Sequence, residues 1–130
     1  MKKVLIIEDD EPLCWLLEKI LTGKYDLVIM NNGFEALSWL SDGNLPNLII
    51  SDINMPTLDG IELLENIRTS GILRDIPVIM LSASEEPEKR RQCLALGASN
   101  YLVKPFEPQL LLEEIENTFK RLDNPLSIDR

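Results

Sequence analysis

Five short apolar segments, separated by stretches with helical periodicity, constrain the fold of this chain more than any other feature. The segments span residues 4–7, 27–30, 48–51, 77–81 and 101–103. Each is continuously apolar and rich in leucine and β-branched residues, which is the pattern of strands that are covered on both faces. The sequence therefore predicts five buried strands.

The stretches between and after these strands predict five helices. The first begins after Asp10, a good N-cap residue, and has Pro12 in its first turn. The second and third cover about residues 33–40 and 58–68, the fourth runs from near Ser84 to Gly97 as its C′ residue, and the fifth follows Pro108. We expect the apolar positions of the first and last helices to face the core: Leu13, Leu16, Leu17, Ile20, Leu21, Leu111, Ile115, Phe119 and Leu122.

Five strand–helix units in 130 residues leave about 26 residues per unit, and hence only short loops. This spacing favours an α/β fold in which a doubly wound, five-stranded parallel sheet carries helices on both faces. We expect one domain over residues 1–122. Residues 123–130 are polar and are expected to form a tail or the start of a linker.

The composition excludes several classes of function. Thirteen basic and 22 acidic residues give a net charge of −9, so a phosphate backbone would be repelled and we expect no direct contact with nucleic acid. With no histidine, this chain holds no histidine triad, histidine-ligated metal or phosphohistidine. No apolar run approaches the ~20 residues of a membrane span, and Cys14 and Cys93 lack the spacing of a disulfide framework or zinc site. We expect a cytoplasmic protein that does not bind membranes.

Chemically capable side chains follow four of the five predicted strands, at the edge where an open parallel sheet binds its ligands. The segments are Glu8-Asp9-Asp10-Glu11, Asp52-Ile53-Asn54, Ser82-Ala83-Ser84 and Lys104-Pro105-Phe106. Carboxylates ~5 Å apart repel each other by about 3 kcal/mol per pair at an effective dielectric constant near 20. This repulsion favours a hard divalent cation such as Mg²⁺ among them, with Lys104 as a further positive charge. The alternative for residues 8–11 is a solvated turn that caps the first helix.

These segments, together with two others, match a known family. The matching segments are Val4 to Asp10, Ile50 to Pro56, Asp59-Gly60, Val78 to Ala83, Gly97-Ala98 and Tyr101 to Phe106. On these residues the chain resembles the receiver domain of two-component response regulators, in the CheY-like superfamily, from Lys2 to about Leu122. The resemblance implies a flavodoxin-like (βα)5 fold with strand order 2-1-3-4-5.

The resemblance also implies a phosphorylation site. Asp52 would accept a phosphoryl group from the phosphohistidine of a histidine kinase or a phosphotransfer protein. Glu8, Asp9, Asp52 and the backbone carbonyl of Asn54 would hold Mg²⁺ or Mn²⁺, with Asp9 as the direct ligand of the acidic pair. Ser82 and Lys104 would contact the phosphoryl oxygens, and the Lys104–Pro105 bond would be cis. Such a chain is not an enzyme in the usual sense, because it catalyses only its own phosphorylation and dephosphorylation.

A switch is implied as well. Phosphorylation would draw Ser82 toward the new oxygens and let Tyr101 turn inward, which would alter the face of the fourth helix, fifth strand and fifth helix for an output protein or domain. This chain departs from the family pattern at two positions. Ser82 replaces the commoner threonine, and Asn100 stands where acidic residues occur in regulators that dimerise through this face.

Other interpretations stay open at this point. A receiver fold could serve as a scaffold without being phosphorylated. A phosphatase with an aspartate nucleophile needs a second aspartate two positions after Asp52, where this chain has Asn54. A flavin-binding module would be repelled by the acidic residues 8–11.

The two tryptophans lie off the apolar stripes of their helices. Trp15 lies about 200° round the first helix from Leu13 and is a candidate anchor for the phosphoryl donor, with packing against a neighbouring loop as the alternative. Trp39 is assigned no function.

Overall fold

The computed structural model describes residues 1–123. Its strands are β1 (Lys3–Ile7), β2 (Asp26–Met30), β3 (Leu48–Asp52), β4 (Val78–Ser82) and β5 (Asn100–Val103). Its helices are α1 (Glu11–Leu21), α2 (Gly33–Ser41), α3 (Gly60–Thr69), α4 (Pro87–Ala95) and α5 (Pro108–Asp123). Strands and helices alternate along the chain as predicted.

All strand pairs are parallel, and the sheet order is β2-β1-β3-β4-β5. The predicted doubly wound fold and its strand order are therefore confirmed. From β1 the chain first adds β2 on one side, and then adds β3, β4 and β5 on the other side. The strand order therefore reverses between β1 and β3. Asp52 is the last residue of β3 and pairs with Leu81 of β4, which puts it one position from Ser82 in register.

Apolar side chains fill a layer on each face of the sheet. On β1, Leu5 and Ile7 point into one layer and Val4 and Ile6 into the other, as expected for a strand covered on both sides. The first layer packs against α2, α3 and α4, and the second against α1 and α5. β1, β3, β4 and the middle of β5 are buried in this way, whereas β2, an edge strand that was also predicted to be buried, is only partly covered. The buried strands fix the positions of their carboxyl ends.

Two predictions about side-chain burial are wrong. Leu122 is exposed rather than inward, and lies one residue before the end of α5. Trp39, which was placed off its helix's apolar stripe, is partly buried and packs against the first layer. The other apolar positions predicted for α1 and α5 are buried or packed against the second layer, except that Leu16 lines a surface groove.

α3 and α4 begin two and three residues later than the sequence predicted, and the residues at their first turns explain why. α3 begins at Gly60 because Asp59 caps it: the Asp59 side chain accepts from the Glu62 N–H, and the Glu62 side chain accepts from the Asp59 N–H. α4 begins at Pro87 rather than near Ser84, since proline suits the first helical position. Gly97 lies past the end of α4 with φ of +94°, as expected for a C′ glycine.

Asp123, the first residue of the expected tail, is the last residue of α5. Residues 124–130 lie outside the described residues. Within residues 1–123, no helix is long and apolar enough to cross a membrane.

Candidate functional site

Three carboxylates meet at the carboxyl ends of β1 and β3. Glu8, Asp9 and Asp52 each offer one oxygen atom, and these atoms lie within 4.8 Å of one another. Glu8 is fully buried, Asp52 is 5% exposed and Asp9 is exposed. Carboxylates at this spacing repel one another, so the cluster needs positive charge nearby.

Lys104 supplies part of that charge from the end of β5. Its Nζ atom donates a hydrogen bond to Glu8 Oε1 at 2.8 Å and lies 3.3 Å from Asp52 Oδ1. Burial lowers the pKa of the Lys104 ammonium, but the hydrogen bond and charges of Glu8 and Asp52 outweigh burial, so this pKa is raised above its ordinary value. The lysine therefore stays charged among the carboxylates.

Glu8 is the most constrained member of the cluster. Its Oε1 accepts from Lys104, and its Oε2 accepts from the Asp10 backbone N–H at 3.1 Å. Burial raises the pKa of the Glu8 carboxyl, and the nearby charge of Asp52 raises it further. The hydrogen bond from Lys104 lowers this pKa, but by less, so the pKa of Glu8 is raised overall. Burial thus weakens the charged form of Glu8, and positive charge nearby strengthens it.

The remaining acidic residues of the first turn serve α1 rather than the cluster. The Asp10 side chain accepts from the Leu13 N–H at 2.9 Å and caps the helix, while Glu11 lies in the first turn. The alternative for residues 8–11, a turn that caps the first helix, therefore holds for Asp10 and Glu11. Glu8 and Asp9 instead belong to the carboxylate cluster.

Gly60 allows α3 to approach the end of β3 closely. A Cβ atom at Gly60 would overlap the backbone oxygen of Asp52 and come within 2.8 Å of Ile53 Cα. The Gly60 N–H donates to the Ile53 carbonyl at 2.8 Å. These contacts fix the backbone beneath the Asp52 carboxylate, and exposed Asn54 follows on the solvent side.

Ser82 and Lys104 end neighbouring strands on the other side of Asp52. Ser82 is fully buried, and its Oγ accepts from the Ser84 N–H at 3.0 Å. The Lys104 N–H donates to the Ser82 carbonyl at 2.7 Å, which continues the pairing of β4 and β5. The Lys104–Pro105 bond is cis, as the resemblance implied.

Comparison with known proteins decides the family. A family model described as the response regulator receiver domain matches residues 4–116. This chain belongs to the response regulator receiver family. The chemotaxis protein CheY homolog of Campylobacter jejuni is 32% identical over 117 residues, which are 88% of this receiver and 90% of that protein.

Two further relatives are informative. The alkaline phosphatase synthesis transcriptional regulatory protein PhoP of Bacillus subtilis is 33% identical over 121 residues, 92% of this receiver but 49% of PhoP. The receiver spans about half the length of PhoP, and also about half the length of the probable transcriptional regulators ycf27 that it matches. The structure of the chemotaxis response regulator CheY4 of Vibrio cholerae superposes with a TM-score of 0.82 at 32% identity and covers 90% of this receiver and 98% of that chain.

Tyr101 of the receiver occupies an inward position. Its ring is buried, with the residue 2% exposed, and its hydroxyl donates to the Ser84 carbonyl at 2.9 Å. Ser84 in turn contacts Ser82, so a chain of hydrogen bonds runs from the receiver's buried hydroxyl to Tyr101. The sequence predicts roles for Ser82 and Tyr101, but not the link between them through the backbone of Ser84, because no side-chain pattern marks such a link.

An apolar groove of about 540 Å³ lies beside Lys104 in the receiver. It is lined by Asp10, Pro12, Leu13, Leu16, Ala83, Lys104, Pro105 and Phe106. Trp15 does not line this groove: it lies on α1 in a separate shallow hollow with Glu18, Lys19 and Thr22, is 61% exposed, and has the Lys19 ammonium 5.2 Å from its ring centroid. The predicted exposure of Trp15 is confirmed.

Proposed function

We propose that this receiver accepts a phosphoryl group on Asp52 from a phosphohistidine and thereby switches the face formed by α4, β5 and α5. One observation carries the proposal: the Asp52 carboxylate lies at the strand-order reversal, within 4.8 Å of Glu8 and Asp9 and 3.3 Å from the Lys104 ammonium. An ionised carboxylate is already a nucleophile, so the reaction requires positioning and charge neutralisation but no general base.

The donor set fits a hard divalent cation. It offers carboxylate oxygens at the spacing of a shared ligand site, and such oxygens suit Mg²⁺ or Mn²⁺. Both Glu8 oxygens already accept hydrogen bonds, which supports Asp9 and Asp52 as direct ligands, with the Asn54 carbonyl as a further one and Glu8 behind them. When bound, the cation would neutralise charge on the transferred phosphoryl group.

The transfer balances without a further reactant. The phosphorus–nitrogen bond of the donor phosphohistidine breaks as a phosphorus–oxygen bond to Asp52 forms, and the histidine regains its neutral ring. Lys104 and the Ser82 hydroxyl would stabilise the negative charge spread over the phosphoryl oxygens. These 130 residues contain no histidine, so the donor histidine lies outside them.

The signalling partners follow from this chemistry. A histidine kinase or phosphotransfer protein would supply the phosphoryl group, and an output protein or domain would read the altered face. The inward Tyr101 of the structure would be the conformation that phosphorylation favours. Moving a switch from 1:99 to 99:1 needs about 5.5 kcal/mol, more than one or two new contacts supply, so the output partner would complete the shift. Residues 1–122 would form the working domain, and its chemistry would be limited to its own phosphorylation and dephosphorylation.

Intact-mass spectrometry with acetyl phosphate and Mg²⁺ tests the proposal. The wild-type chain should gain the mass of one phosphate, and Asp52→Asn should gain none. Asp42→Asn, at an exposed aspartate that caps the end of α2, is the matched control and should be phosphorylated like the wild type.

Other outcomes would replace the proposal. If the wild type gains no phosphate under any condition, the scaffold interpretation takes its place. Steady hydrolysis of a phosphomonoester in excess over protein would favour the phosphatase interpretation instead.

A further inference from the structure

α4 is attached to the body of the protein unevenly. Of its nine residues, all of which are within the described part of the chain, Cys93 alone is buried. Its N-cap residue, Glu86, makes no side-chain capping hydrogen bond. A helix with so little buried surface takes its position from a few specific contacts at its two ends.

The carboxyl end of α4 is held firmly. Arg68 of α3 donates from Nη2 and Nε to the Gly97 carbonyl at 2.8 and 3.2 Å, and from Nη1 to the carbonyls of Ile76 and Arg74 at 2.7 and 3.0 Å. The Ser99 N–H then donates to the Val78 carbonyl of β4 at 2.7 Å. This end is therefore fixed to α3 and to the sheet.

The amino-terminal half of α4 contacts the body through Tyr101. The Arg90 guanidinium lies 5.8 Å from the centroid of the Tyr101 ring, and its Nη1 donates to the Tyr101 carbonyl at 3.4 Å. The ring's hydroxyl reaches the loop before α4 at the Ser84 carbonyl. Tyr101 is thus held from α4 at its ring and from the preceding loop at its hydroxyl.

We propose that Arg90 is a positioning residue that holds Tyr101 inward and joins the position of that ring to the amino-terminal half of α4. A guanidinium over an aromatic ring attracts it electrostatically, and the hydrogen bond to the Tyr101 carbonyl orients the guanidinium. Movement of the ring outward would break the guanidinium–ring contact and the hydroxyl's hydrogen bond to the Ser84 carbonyl, and so loosen α4 at its amino-terminal side, while Arg68 would retain the other end.

The neighbouring Arg91 shows that this contact is particular to one arginine. Arg91 points to solvent, and its Nη2 pairs with Glu88 at 2.7 Å, with both side chains more than two-thirds exposed. Removal of an exposed pair of this kind has little effect. Arg91→Ala is therefore a matched control for Arg90→Ala: the same substitution, one position along the same helix.

Fluorine NMR of protein labelled with 3-fluorotyrosine tests the proposal directly. The chain has two tyrosines, so two signals are expected, and Tyr25→Phe assigns them. Arg90→Ala should move the Tyr101 signal toward that of free fluorotyrosine and lower the ratio of inward to outward ring about two- to fivefold, the size of one cation–π contact. Arg90→Lys, which keeps a cation, should recover part of the shift, and Arg91→Ala should leave the wild-type signal. An unchanged Tyr25 signal reports that each variant is folded.

The proposal is overturned if the Tyr101 signal of Arg90→Ala equals that of the wild type, or if Arg91→Ala shifts it as far. The regulatory consequence rests on the proposed function: because coupling is reciprocal, Arg90→Ala should weaken binding of beryllofluoride with Mg²⁺, by no more than the same two- to fivefold. If the wild type binds no beryllofluoride and gains no phosphate, the proposed function fails while the ring measurement still decides the role of Arg90. If the wild type is phosphorylated and the ring does not respond, only the role of Arg90 fails.

Discussion

The ammonium of Lys104 lies 2.8 Å from Oε1 of Glu8, although 96 positions separate the two residues in the chain. Glu8 is almost completely buried at its side chain and Lys104 is 22% exposed there. The pair joins the ends of β1 and β5, which lie on either side of β3 and β4 in the sheet. It is therefore a contact across the site and not a surface ion pair.

Lys104→Met should lower the free energy of unfolding by about 1–3 kcal/mol, because it leaves buried carboxylates without a compensating charge. Urea unfolding measures the loss. Lys3→Met is the control, since Lys3 faces Asp26 in an exposed pair at 3.6 Å and should cost no more than about 1 kcal/mol. Adding Glu8→Gln to Lys104→Met should recover part of the loss. Equal losses in the two single variants would contradict the charge argument.

Gly60→Ala should destabilise the protein by about 1–3 kcal/mol, as expected when an extra carbon is forced against fixed backbone. Its Cβ would overlap the Asp52 carbonyl oxygen, so the substitution should also slow phosphorylation by acetyl phosphate. Gly71→Ala is the control, because no atom lies within 4 Å of a Cβ there. Thermal unfolding and intact mass measure the two effects, and a Gly60→Ala protein that behaved like Gly71→Ala would show that the close approach is unimportant.

The sequence was sufficient to predict the features that depend on regular patterns. Continuous apolar runs located all five strands, and the convergence of strand ends located Glu8, Asp9, Asp52, Ser82 and Lys104 at one edge. The helix starts were less accurate, since the reciprocal cap of Asp59 and Glu62 competes with the apolar period that begins at Leu58. Contacts between elements, such as Arg90 with Tyr101, were not predictable because they depend on how α4 packs beside β5.

Thr57 in the loop between β3 and α3 has a φ of 71°, which a β-branched residue rarely adopts. Thr57→Asn should therefore raise the free energy of unfolding by about 1 kcal/mol, because asparagine tolerates this left-handed region. Thr22→Asn is the control: Thr22 is also exposed but has an extended backbone with φ of −60°, so no gain is expected. Urea unfolding of the two variants beside the wild type makes the comparison, and a gain shared by both would assign the effect to side-chain chemistry instead of backbone strain.

Trp15 should act in transfer from a protein donor and not in the chemistry itself. It is 61% exposed on α1, in a shallow hollow with Glu18, Lys19 and Thr22, and exposed tryptophans are frequent anchors in protein interfaces. Trp15→Ala should slow phosphotransfer from a histidine kinase that phosphorylates the wild type by about tenfold or more, which corresponds to the loss of one anchor contact. Phosphorylation by acetyl phosphate should be unchanged, because a small donor needs no docking surface. Phe34→Ala removes an aromatic residue of similar exposure at the start of α2, on the other face of the sheet, and should leave both rates unchanged. An equal loss with the kinase and with acetyl phosphate would show that Trp15 supports the site and does not dock the donor.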